Sequence, residues 1–162
     1  MKLSVLVFAT AALLISCSET HQNIYNYEKV YHTEGVDSFK MTHFKDKVSG
    51  NIVYLNDDSK FNRADLEELC DRNRVKCFIQ DFDVNSKDIN SQLDAAMGGM
   101  KSFKNEPVLL VSANRDNAAL FVTTYAYRMK KASEQMITKI AADLGASDTK
   151  IPKIIEVAKG TP

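Results

Sequence analysis

Apolar positions fall into short blocks along the chain, and the spacing within each block separates strands from helices. Ile52, Val53, Tyr54 and Leu55 form a continuous run between Gly50 and the turn formers Asn56-Asp57-Asp58, which predicts a buried strand. Asn62 follows as a helix N-cap, with Asp65 in the first turn and Phe61 and Leu66 spaced for a hydrophobic staple. Leu66, Leu69 and Cys70 then recur at helical spacing. Val75, Cys77 and Ile79 alternate with Lys76, Phe78 and Gln80, the period of a strand. Ile89, Leu93, Ala96, Met97 and Met100 return to the helical period, and Gly98-Gly99 is expected to end or break that helix. Val108–Val111 and Ala118–Val122 are two further continuous runs. The residues between them, Ser112 to Asn117, are mostly turn formers and too few for a helical crossover, so the pair predicts an antiparallel hairpin. Met129, Ala132, Met136, Ile137, Ile140, Ala141 and Leu144 share one helical stripe with Gly145 as its C-terminal cap. Pro152 to Lys159 predicts a last short helix closed by Gly160.

The predicted order is strand, helix, strand, helix, strand, strand, helix. With a parallel pair first and a hairpin last, it resembles the thioredoxin-like fold, an α/β class with a βαβαββα order and a mixed sheet carrying helices on both faces. Pro107, immediately before the third strand, adds to the resemblance, which implies a cis-proline at Pro107 beside the active site. The same resemblance implies a Cys-x-x-Cys dithiol after the first core strand. Asn56-Asp57-Asp58-Ser59-Lys60-Phe61-Asn62 contains no cysteine there, so the family's thiol exchange has no thiolate to run on.

The N-terminus changes the picture from a bare domain to an addressed one. Met1-Lys2 precedes an apolar stretch from Leu3 to Ile15, the layout of a secretory signal peptide and too short to span a bilayer. Its end, Leu14-Ile15-Ser16-Cys17, resembles the lipobox of bacterial lipoproteins. The resemblance implies a signal peptide over residues 1–16, with Cys17 as the acylated, palmitate-bearing N-terminus of the mature protein. Ser18 in place of Asp resembles the pattern passed on to the outer membrane of a Gram-negative cell. Residues 17–39 are then the lipid anchor and polar tether, and residues 40–162 a single α/β domain. Tyr25, Tyr27 and Tyr31 leave a second reading open for the tether, as an added strand or a segment packed on the domain.

Charge decides about partners. The chain carries 21 Lys+Arg against 21 Asp+Glu in 162 residues. Such balance leaves no positive field for a nucleic-acid backbone. Cys70 and Cys77 are separated by six residues, and export from the reducing cytoplasm favours their oxidation. A structural disulfide, two buried thiols and a redox-active pair all fit the pattern. Asp57-Asp58 reads as a strand-to-helix turn, with a Mg²⁺-holding pair as the sharper alternative. His21, His32 and His43 are scattered and expected in solvent. Lys130-Lys131 reads as a solvated helix face, and Met97, Met100, Met129 and Met136 as core filler. No hydrolase, kinase, phosphate-loop or zinc motif is present, so neither a catalytic residue nor a cofactor or metal is assigned.

These readings lead to an expected non-catalytic envelope lipoprotein, held to the membrane through Cys17, whose domain binds an envelope protein. The alternatives are an envelope thiol-disulfide oxidoreductase working through Cys70 and Cys77, and small-ligand binding near Asp57 and Pro107.

Overall fold

The computed structural model describes residues 25–34, 50–57, 63–104 and 106–160. Among the described residues there are five strands: β1 (Tyr25–Tyr27), β2 (Val30–Thr33), β3 (Asn51–Asn56), β4 (Lys76–Asp81) and β5 (Val108–Val111). The helices are α1 (Arg63–Arg72), α2 (Ile89–Ser102), α3 (Arg115–Thr124), α4 (Glu134–Asp143) and α5 (Ile151–Lys159). The strands form one sheet in the order β1-β2-β5-β3-β4. β2, β5, β3 and β4 run parallel, and only β1 is antiparallel, opposite β2. All three parallel core strands β2, β3 and β5 therefore end at one edge.

Alternation along the strands divides the core between two faces. Val53, Leu55, Val108 and Leu110 pack with α2, α3, α4 and α5, whereas Ile52, Tyr54, Leu109 and Val111 pack with Leu66 and Cys70 of α1. The mixed α/β sheet with helices on both faces is thus present, and α1, α2, β3, β4 and β5 fall where the periodicity puts elements. Asn62, Phe61 and Asp58 lie outside the described residues, as do His21, His43 and Cys17.

The thioredoxin-like order is not formed at its hairpin. Ala118–Val122 is the middle of α3, and Ala118 to Thr124 are all buried. A helix buried all round has no polar face to reveal its period, so its sequence reads like a core strand. Asn114 starts it: the Asn114 Oδ1 accepts from the Asp116 N–H at 2.9 Å, an N-cap within what reads as a turn. Of the two readings left open for the segment with Tyr25, Tyr27 and Tyr31, the structure has the added strand. Tyr25–Tyr27 and Val30–Thr33 are strands of the sheet, and burial pushes the Tyr25 phenol up to about 12, with Asp143 and Tyr27 adding to it.

Three smaller expectations change as well. Gly98-Gly99 neither ends nor breaks α2, which runs on to Ser102. Gly99 instead gives room to Phe78: a Cβ there would sit 2.2 Å from its ring. The stripe from Met129 to Leu144 is not one helix: a π-helical turn over Tyr125–Met129 ends where the stripe begins, residues 131–133 are not helical, and a new helix is capped by Ser133, whose hydroxyl accepts from the Met136 N–H. Met129 and Met136 are consequently exposed, while Met97 and Met100 are core. Lys130 is paired with Glu28 at 2.7 Å. Gly145 and Gly160 take the positive φ of helix ends as expected.

Candidate functional site

The chemistry gathers at the edge where β2, β3 and β5 end. Asp57 follows β3, Ser112 follows β5, and His32 and Glu34 lie at the end of β2. Only three residues, Ser112 to Asn114, separate β5 from α3, so main-chain N–H groups of the loop and the first turn of α3 point outward from the strand end.

These donors converge on one carboxylate. Asp57 Oδ1 accepts from the Ala113 N–H at 3.0 Å, and Oδ2 from the Asn114 N–H at 3.2 Å. Oδ2 also accepts from Asn117 Nδ2 at 3.2 Å and from the Ser112 hydroxyl at 2.5 Å. Two main-chain amides, one side-chain amide and one hydroxyl arranged on a small anion make an anion cradle at a helix N-terminus. Asn117 is fixed from behind: its Oδ1 accepts from the Val84 N–H at 2.8 Å and its Nδ2 donates to the Phe82 carbonyl at 3.1 Å. Those bonds tie the loop after β4 to the cradle.

Two basic groups border it. The Arg115 guanidinium pairs with Glu34 through Nε at 2.5 Å and lies over Gly145. His32 is buried at 5% exposure, and its Nε2 has no hydrogen-bond partner among the described residues. The imidazole contacts the Ser112 main chain and lies within electrostatic reach of Glu34, Asp57 and Arg115. Its pKa falls below the ordinary 6.5 because burial outweighs the upward pull of the Ser112 main chain, Glu34 and Asp57, and Arg115 lowers it further. At neutral pH it is uncharged. The expectation of a solvent-exposed His32 is therefore corrected, since it lies on an inner strand of the sheet.

Other expected site residues lie elsewhere. Cys70 and Cys77 form a disulfide with a Cα–Cα distance of 6.1 Å. Cys77 pairs with Ile52 at the start of β3, whereas Asp81 pairs with Asn56 at its end. Four residues of strand, roughly 13 Å, thus separate the disulfide from the cradle edge. The described backbone contains no cis peptide, so Pro107 is trans. Pro107 also stands before β5, at the end opposite the cradle, where its carbonyl accepts from Asn51 Nδ2 at 3.4 Å. Among the described residues no group of three His, Cys, Asp or Glu side chains could hold a metal ion.

Of the cradle, sequence reasoning picked out Asp57 and reached Ser112, Asn114 and Asn117 only as turn formers. The available signal was Asn114 with Asp116 two residues on, an N-cap and an acidic first turn.

No protein-family model matches the chain, and no curated protein does. Solved structures do match in fold. A DUF442 protein from Shewanella putrefaciens CN-32 that carries a provisional phosphatase name has a TM-score of 0.67 at 12% identity, covering 85% of this chain and 88% of that one. The core catalytic domain of the PP-IP phosphatase SIW14 from S. cerevisiae, in complex with citrate, has a TM-score of 0.66 at 12% identity, covering 86% of each chain. A cysteine-to-serine variant of P. aeruginosa TpbA in complex with pTyr has a TM-score of 0.57 at 12% identity, with 87% and 92% covered. These likenesses correct the functional expectation: neither a non-catalytic thioredoxin-like partner binder nor a thiol oxidoreductase using Cys70 and Cys77 agrees with them. The chain shares its fold with structures named as phosphatases.

Proposed function

We propose that this chain is a phosphatase-like protein that takes a phosphate monoester at the loop between β5 and α3. The observation that carries the reading is the convergence of the Ala113 and Asn114 N–H groups, the Asn117 amide and the Ser112 hydroxyl on a single anion. A tetrahedral phosphate offers oxygens to the same donors, and the dipole of α3 favours its charge. Arg115, at the first position of α3, supplies the nearby cation. The phosphatase names of the fold neighbours, and the pTyr complex among them, support the ligand class.

Ser112 is the one hydroxyl in the loop, and it donates to Asp57, the geometry in which a carboxylate takes the proton of an attacking alcohol. In the proposed reaction Ser112 Oγ bonds to phosphorus as the ester P–O bond breaks. The Ser112 proton passes to Asp57 and from there to the leaving oxygen. Water then attacks the phosphoserine, its oxygen bonding to phosphorus as the bond from phosphorus to Ser112 Oγ breaks. Asp57 takes the water proton and returns it to Ser112 Oγ, which frees inorganic phosphate and restores the starting pair.

Hydrolysis of p-nitrophenyl phosphate, with binding of phosphotyrosine measured in parallel, tests both parts. Wild type is expected to bind and turn over, and S112A to lose about 100-fold or more in turnover. Binding without turnover would overturn the role of Ser112, and absence of both would overturn the reading. For location, we propose that Cys17 carries the acyl anchor its surrounding residues resemble.

A further inference from the structure

The donors that would hold a phosphate are already occupied, and by a group of the same charge. Asp57 places both carboxylate oxygens in the cradle and accepts from Ser112, Ala113, Asn114 and Asn117. Beneath it, Ser112 is 0% exposed and Asn117 1% exposed. A ligand cannot take these donors while Asp57 keeps all four bonds. Two negative groups also cannot share one set of donors without a large repulsive cost.

A second feature of the edge is independent of those bonds. His32 is nineteen-twentieths buried, in contact with the Ser112 main chain, and among the described residues its Nε2 meets no acceptor or donor. A buried polar nitrogen without a partner costs free energy in the resting protein. A phosphate group lodged at Ser112 would answer it, by donating a P–OH proton to the bare nitrogen or by holding the imidazole in its protonated, donating form. Arg115 is likewise held to one side by Glu34. The resting site has its donors saturated by one internal carboxylate, its cation paired, and one buried nitrogen unanswered.

Resting on the phosphate-monoester reading above, we infer that Asp57 is an internal stand-in for the ligand, and that a phosphate group binds by displacing its carboxylate from the Ala113, Asn114 and Asn117 donors, the carboxylate keeping only the Ser112 hydroxyl that it serves as base. Asp57 then sets the affinity of the site as well as serving its chemistry. The cradle keeps its shape without ligand because Asp57 supplies the anion that the loop is built around. The consequence is specific: removing the carboxylate weakens the empty protein and strengthens its hold on phosphate.

Full-length protein in detergent, titrated with inorganic phosphate, tests this. In D57A the dissociation constant for phosphate is expected to fall about tenfold or more relative to wild type. The melting temperature of D57A should lie below that of wild type in phosphate-free buffer and rise more steeply as phosphate is added. D57N keeps the shape of the side chain and removes its charge, so it gives the same comparison should D57A not accumulate in folded form. Equal or weaker phosphate binding by the folded variants, with wild type still binding, overturns the displacement and leaves the phosphate site standing. No phosphate effect on any of the proteins overturns both, and would leave Asp57 as a structural tie between β3 and α3.

Discussion

Asn117 illustrates how few side chains the cradle depends on. It sits in the first turn of α3, is 1% exposed, and makes three polar contacts that join separate parts of the chain. Its amide satisfies an N–H and a carbonyl of the loop after β4 and still donates to Asp57, which only a group with both donors and an acceptor can do. His32 contributes differently, through its protonation. Burial, more than any neighbour, lowers its pKa below the ordinary 6.5, so the folded protein binds a proton less readily there than the unfolded chain. Stability from this residue is therefore complete above about pH 6.5 and is lost as the pH falls toward its folded pKa. Urea unfolding between pH 7.5 and pH 5 should show stability declining on the acid side, with a slope of up to about 1.4 kcal/mol per pH unit from one proton. H32Q, which does not titrate, should flatten that part of the profile. A profile that keeps the same acid slope in H32Q would assign the slope to other groups.

At the scale of elements, α2 packs directly on β4. Gly99 lies on the face of α2 that meets Phe78, and the missing Cβ is what lets the ring in. G99A would gain helix propensity worth about 1 kcal/mol in isolation, yet the clash with the ring outweighs it. The expected result is a net loss of about 1–3 kcal/mol in urea unfolding, recovered in part when F78L is combined with G99A. A stabilised G99A would mean that the ring moves aside freely. The same glycine pair shows what was legible beforehand and what was not. Glycines in a helical pattern read as a stop, because Phe78, the partner that requires Gly99, lies more than twenty residues away in sequence, and Gly98 has open space around it. Ala118–Val122 failed for a related reason. Its polarity says only that it is buried, and burial on all sides belongs to central strands and central helices alike. Elements with one wet face, α1 and β4 among them, were legible because solvent on one side prints the period into the sequence. The cradle was half legible. Asp57 stands out beside a strand end, but its four donors come from residues 55 to 60 positions further on, a distance that no local pattern reports.

If Cys17 is acylated as proposed, the whole molecule joins a membrane anchor to the proposed site, and the sheet fixes how close the two can be. β1 is antiparallel to β2, and Tyr25 pairs with His32. The chain therefore enters the sheet at the very edge where Asp57, Ser112 and His32 meet. Cys17 precedes Tyr25 by eight residues, which span at most about 28 Å when fully extended. If Cys17 carries acyl chains as proposed, the cradle edge is held toward the bilayer and the start of β4 away from it. Among the described residues no helix is long and apolar enough to cross a membrane, so they offer no second anchor of that kind. Two dye positions report the orientation. Asp148 is exposed next to Ser147, whose N–H bonds Asp116 at the start of α3 at 2.8 Å, and Lys76 is exposed at the far end of the sheet. On vesicles with an acceptor dye in the headgroup layer, a donor on D148C should transfer energy more efficiently than a donor on K76C. In a C17S background both signals should vanish, together with incorporation of labelled palmitate. Equal transfer from the two positions would leave the anchor in place and remove the orientation, whereas wild-type protein free of palmitate would remove the anchor itself. With the predicted ordering, the site faces the membrane surface, and phosphate monoesters presented there have the shortest path to it.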